Sequence, residues 1–124
     1  AHTGIAGSSL GGLISLYAHF QRPEIFGFAA ALSPAIWFAN AAILETARET
    51  PRAAGRIYLD VGLREGANHV MLARRMRDTL LAKGYDPEGE LRFVEDRLGK
   101  HHESAWGRRF RKALPFLLRN GGPR

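Results

Sequence analysis

Gly4-Ile5-Ala6-Gly7-Ser8-Ser9-Leu10-Gly11-Gly12-Leu13 is the stretch on which the fold turns. Its opening is short and apolar, so Thr3–Ala6 reads as a buried strand running into a turn at Gly7. From Leu10 the period changes. Leu13, Leu16, Tyr17 and Phe20 recur at helical spacing until Pro23 stops the pattern. Strand, tight turn, helix is half of a parallel crossover unit, and the rest of the chain repeats it.

Phe28–Leu32 is apolar at every position, as a strand covered on both faces must be. Ser33-Pro34 turns the chain, and Ala39–Glu49, rich in Ala and Leu, reads as a helix closed by Thr50-Pro51. Arg56–Val61 is the clearest strand, ended by Gly62. Asn68 is the expected N-cap of a helix over His69–Lys83, with Ala73, Met76 and Leu80 on one face and Gly84 at the C′ position. Leu91–Glu95 is a short strand and Asp96–His102 a loop. A last helix covers Glu103–Leu118, with Trp106, Phe110, Ala113 and Leu117 facing inward and Pro115 kinking its end. The tail Asn120–Arg124 is expected to fray. Four strands alternating with four helices predict an α/β fold with a parallel sheet, whose chemistry gathers at the carboxyl ends of the strands.

Composition narrows the classes. The 124 residues suffice for one core and one domain, 1–124. Without cysteine there is no disulfide framework, thiolate metal site or cysteine nucleophile. Apolar runs are too short for a membrane span, and no signal peptide pattern is present, so a cytoplasmic chain is expected, any export signal lying upstream of Ala1. The net charge of +6 is lopsided. Residues 1–50 carry a net of −1, and residues 51–124, with 16 basic and nine acidic groups, a net of +7. The densest basic run is Arg108, Arg109, Arg111 and Lys112. A nucleic-acid surface is one reading of it; a solvated helix face is the preferred one, so neither nucleic acid nor membrane is expected as a partner.

The residues after each strand are the ones to inspect. Gly7-Ser8-Ser9-Leu10-Gly11 is a Gly-x-Ser-x-Gly turn, which projects a serine hydroxyl from a sharp bend while glycines let strand and helix approach. Ser9 would stand at a helix N-terminus, where the N–H of Leu10 can hold a developing oxyanion. A phosphate cradle is the competing reading, but the turn lacks the P-loop lysine and the dinucleotide-binding glycine spacing. A serine nucleophile needs a base, and His101 and His102 lie in the loop after the fourth strand. His2, His19 and His69 read as ordinary surface or packed histidines. Adjacent imidazoles diverge, so no metal is expected, and no organic cofactor is implied. The carboxylate should follow the third strand: Glu65 is preferred, Asp60 is the reserve, and Asp96 comes third. The order serine, acid, histidine is that of α/β-hydrolases.

Together with Pro23-Glu24-Ile25-Phe26-Gly27 and Ser33-Pro34-Ala35-Ile36-Trp37, the opening stretch resembles the putative esterase family of α/β-hydrolases. That group contains enterochelin-type siderophore esterases, esterase D-like enzymes, feruloyl esterases and mycolyltransferases. Tyr58–Gly62 with Glu65 resembles its acid-bearing loop. Gly99–Trp106 resembles its His-x-Glu-x-x-Trp segment, which makes His101 the base. The resemblance implies a serine esterase acting on a small-molecule ester through an acyl-enzyme, with Ser9, Glu65 and His101 as its triad. Trp37, Phe38 and Trp106 are candidates to line its pocket. Relatives of this kind carry several strands before the serine turn. The expectation is therefore a C-terminal portion of the fold, lacking the second oxyanion donor and weak or inactive alone, with an open first strand that invites self-association. A catalytically silent interaction module and a basic-helix nucleic-acid binder are the alternatives.

Overall fold

The computed structural model describes residues 3–119. Four strands, β1 (Gly4–Ser8), β2 (Phe28–Leu32), β3 (Arg56–Gly62) and β4 (Leu91–Asp96), alternate with four helices, α1 (Leu10–Gln21), α2 (Phe38–Glu49), α3 (Ala67–Ala82) and α4 (Glu103–Leu118). The strands form one sheet in the order β1-β2-β3-β4, every neighbouring pair parallel. Sequential order combined with right-handed crossovers puts all three connecting helices on one face. There Leu13, Leu16 and Phe20 of α1, Ile43 and Ala47 of α2, and Leu72, Met76 and Leu80 of α3 pack on Ala31, Ile57, Leu59 and Leu91 of the sheet. The opposite face is covered by α4, whose Ala113, Phe116 and Leu117 meet Ala30, Leu32 and Tyr58. Leu16, Ile57, Leu59, Met76 and Leu80 have no exposed surface, and burying each contributes about 1.5–3 kcal/mol.

The register levels the carboxyl ends. Ser8, Leu32, Asp60 and Val94 share one row across the sheet. The turns that follow them, beginning with Ser9 and Ser33, therefore leave the sheet at the same height.

Several boundaries depart from expectation. β1 runs two residues further than Thr3–Ala6, because Gly7 and Ser8 stay in ladder register with Ala31 and Leu32. α3 begins at Ala67, and its N-cap is Gly66 at φ 109°, not Asn68. A polar cap was expected, but Glu65 is engaged elsewhere and the turn needs a positive φ, which glycine adopts freely. α2 opens with a left-handed turn at Ala39, Asn40 and Ala41, all with φ between 51° and 60°. α4 continues through Pro115 to Leu118. His2 and the tail Asn120–Arg124 lie outside the described residues. β1 is hydrogen-bonded on one side only, and beside it Leu10, Ile14 and Tyr17 of α1 are about half exposed. Among the described residues, no helix is long and apolar enough to cross a membrane.

Candidate active site

Ser9 stands between β1 and α1 with φ 57° and ψ −119°. Its N–H donates to the Leu32 carbonyl at 3.0 Å, and its own carbonyl accepts from Leu13 and Ala35 at 3.1 and 2.9 Å. The turn is thus pinned to α1, to β2 and to the segment after it. Gly7 makes this geometry feasible: a Cβ there would come within 2.5 Å of the Gly11 backbone. Leu10, as the first residue of α1, has an N–H with no acceptor inside the helix. The sequence motif and the local structure therefore coincide at this turn.

Ser9 Oγ lies 2.9 Å from His101 Nε2, and His101 Nδ1 lies 2.8 Å from Glu65 Oε1. A carboxylate only accepts, so Nδ1 carries the ring proton and Nε2 is left to accept from the serine hydroxyl. Three side chains from three strand ends thus form one hydrogen-bonded row. The β4–α4 loop reaches Glu65 because Gly62 has no side chain: a Cβ there would come within 2.3 Å of the Gly99 carbonyl, which accepts from Arg64 N–H at 3.0 Å. His102 points elsewhere, its Nδ1 accepting from Ser104 N–H at 3.1 Å as the N-cap of α4. Trp106 sets its ring edge-on to His101 at 4.8 Å between centroids.

The side chains of Glu65 and Asp60 both lack exposed surface and are differently employed. Glu65 Oε2 accepts from the Ser33 hydroxyl and, at 2.7 Å, from Gly62 N–H. Burial pushes the Glu65 pKa up, but the hydrogen bonds from Ser33, His101 and Gly62 outweigh it, and the group ionises below the usual glutamate value. Asp60 accepts from Ser33 N–H at 2.9 Å and from the Tyr58 hydroxyl at 2.7 Å, and its Oδ1 lies 3.2 Å from Arg109 Nη1. Burial pushes Asp60 up to about 6, against the pull of Arg109, Tyr58 and the Ser33 N–H. Of the two acid candidates it is Glu65 that meets the imidazole. The reserve, Asp60, faces α4 from inside the strand. Asp96, third in line, lies 2.8 Å from Arg108 Nη2.

Three residues of this region are not among the site candidates of the sequence reading. Ser33, at φ 44°, ties Glu65 to Asp60 through its hydroxyl and its N–H. Arg109, 3% exposed, donates to Ser33 Oγ at 3.1 Å and lies 3.6 Å from both Glu65 Oε2 and Asp96 Oδ2. The basic run is therefore not a uniform solvated face: Arg109 is internal and Arg108 is paired. The signal for Arg109 was its place in the stripe Ala105, Arg109, Ala113, Phe116. His69, expected to be an ordinary histidine, lies 3.9 Å from Glu65 Oε1. His19 is fully buried, Nδ1 2.6 Å from the Phe26 carbonyl, in line with a packed role.

Beside His101 is a cavity of about 560 Å³ lined by Leu98, Lys100, His101, His102, Ser104, Ala105 and Arg108. The aromatic candidates Trp37, Phe38 and Trp106 do not line it. Trp37 and Phe38 are about half exposed and pack edge-on against each other. Trp106 packs with the α4-face core.

Comparison with known proteins bears on the family and the fold. The chain is 29% identical over 121 residues to the uncharacterized protein YbbA of Bacillus subtilis (strain 168), which covers 92% of this chain and 48% of that one. It is similar to the enterobactin esterase FES of Shigella flexneri, solved with 2,3-di-hydroxy-N-benzoyl-serine (TM-score 0.75, 28% identity, 93% of this chain and 30% of that one). It is also similar to the siderophore hydrolase EstA of Aspergillus nidulans (TM-score 0.66, 26% identity, 92% and 48%). The chain thus spans about half the length of the curated relative it matches. The family described as Putative esterase matches residues 1–117, nearly the whole sequence. On that match, with similarity to solved esterases over more than nine-tenths of its length, the chain belongs to the Putative esterase family.

Proposed function

We propose that the chain carries the reaction centre of a carboxylic ester hydrolase, with Ser9 as nucleophile, His101 as general base and acid, and Glu65 as the carboxylate that orients it. One observation carries this reading: the unbroken row from Ser9 Oγ through His101 to Glu65, with separations of 2.9 and 2.8 Å. His101 Nε2 takes the hydroxyl proton as Ser9 Oγ bonds to the ester carbonyl carbon. The carbonyl oxygen becomes an oxyanion held by Leu10 N–H. Its collapse breaks the ester bond, and the leaving alkoxide takes the proton from His101. Water, deprotonated by the same imidazole, then releases the acid from Ser9. Buried and ionised, Glu65 stabilises the transient imidazolium without taking its proton.

Membership of the esterase family and similarity to an enterobactin esterase and a siderophore hydrolase support an ester substrate, with siderophore esters the first natural candidates. The test is hydrolysis of an aryl ester and of enterobactin by the full open reading frame containing this chain, with Ser9→Ala as the comparison. The variant is expected to lose about 10³-fold or more in kcat. Hydrolysis at the unaltered rate would remove Ser9 from the chemistry.

A further inference from the structure

Glu65 has two imidazoles on one oxygen. Its Oε2 is committed to Ser33 and Gly62. Its Oε1 lies 2.8 Å from His101 Nδ1 and 3.9 Å from Nδ1 of His69, in the first turn of α3. The two rings are 5.2 Å apart between centroids. One ligand atom from each of the three residues lies within 4.8 Å of the others. The carboxylate is fully buried, whereas the His69 and His101 side chains are 26% and 34% exposed, so the imidazole side of the cluster opens to solvent.

Two neutral imidazole nitrogens and a carboxylate are a donor set suited to Zn²⁺, which binds them at about 2.0–2.2 Å in a tetrahedral array. Such bonds set neighbouring donors about 3.3–3.5 Å apart. The present 2.8 and 3.9 Å contacts bracket that spacing, and with all three donors within 4.8 Å of one another, side-chain rotations of roughly 1–1.5 Å would meet it. Glu65 is already oriented by the Ser33 hydroxyl and Gly62 N–H, as metal-binding carboxylates generally are. The positive charge facing the cluster, Arg109, lies toward the other carboxylate oxygen and is itself matched by Asp60 and Asp96.

We propose that Glu65, His69 and His101 form a site for Zn²⁺ or a similar borderline divalent cation, and that filling it switches the hydrolase off. The binding half stands on geometry alone; the inhibitory half rests on the function proposed above. A cation on His101 Nδ1 displaces the proton that Nδ1 donates to Glu65 and shifts it to Nε2, leaving the ring neutral. Nε2 then donates where it must accept, and Ser9 loses its base. The inhibition is reversible, because no covalent bond to carbon forms or breaks.

The experiment uses the tag-free full chain, with Zn²⁺ binding followed by calorimetry and site geometry by the visible bands of Co²⁺. The wild-type protein and Ser9→Ala are expected to bind alike, with Co²⁺ giving the intense bands of a tetrahedral site. His69→Ala, with unchanged circular dichroism, is expected to bind about 10²-fold more weakly, at or beyond the loss seen when only a supporting partner is removed. Inhibition of hydrolysis should share the binding midpoint and move with it in His69→Ala. Absence of Zn²⁺ binding to the wild type, or equal affinity in His69→Ala, overturns the site. Zn²⁺ binding that depends on His69 in a protein that hydrolyses no ester would keep the site and reject the hydrolase reading instead.

Discussion

The end of β3 and the loop that follows it carry one carboxylate each, and the two have opposite employments. Asp60 is still part of the strand. Alternation turns it toward α4, where Arg109, Tyr58 and the Ser33 N–H surround it. Glu65 lies beyond the strand in a turn, and the freedom of that turn lets it face His101. Both side chains are shielded from solvent; the difference is the partner. A carboxylate inside a strand is committed to the face its register dictates, whereas one beyond the strand end can meet a group from a neighbouring loop.

The largest test of this contrast is Glu65→Gln against Asp60→Asn. Loss of the orienting carboxylate should lower kcat by about 10⁴-fold. Asp60→Asn should act mainly on denaturation midpoints, retaining kcat within about tenfold. Equal kinetic losses would show that the two acids work as one unit.

Next in size is Arg109→Met, which removes the cation shared by Asp60, Glu65 and Asp96. Unpairing buried carboxylates in this way costs about 3–5 kcal/mol, readable as a fall in unfolding free energy in urea. A variant as stable as the parent would mean that Arg109 contributes nothing net to the fold.

The smallest expected effect sharpens the comparison most. Ser33→Ala removes a hydroxyl donor to ionised Glu65, a bond of a kind worth about 1.5–3 kcal/mol. The folded pKa of Glu65 is depressed, so the ionised group's support is present at neutral pH and is lost as pH falls through that pKa. Without the Ser33 hydroxyl the pKa rises. The titration of the Glu65 carboxylate itself, followed by carbon NMR, should therefore move upward, with the neutral-pH rate little changed. An unmoved titration would place the control of Glu65 ionisation elsewhere.

Much of this was legible in the residues. Ser9, Glu65 and His101 each follow a strand whose pattern is plain, and a parallel sheet brings its carboxyl ends together whatever the details. Ser33 follows β2 by the same rule, but it reads as a turn residue until its hydroxyl is seen against Glu65. Arg109 is hidden among basic neighbours, and only the inner stripe of α4 separates it from them. His69 depends on where α3 begins. With α3 starting at Ala67 after Gly66, His69 stands four residues after Glu65 and 3.9 Å from its Oε1, a closeness the hydrophobic period alone does not report. The left-handed opening of α2 has no counterpart in the hydrophobic period, which reports buried faces and says little about where a helix is entered.

The backbone of Ser9, at φ 57° and ψ −119°, is a wound spring. Holding a residue with a side chain in such a conformation costs about 1–3 kcal/mol, and three amide contacts, to Leu32, Leu13 and Ala35, keep it from relaxing. Slackening of the seam between the first two strands would free the hydroxyl to swing away from His101. Under the function proposed above, reactivity at this residue is a gauge of how tightly one small corner of the molecule is clasped.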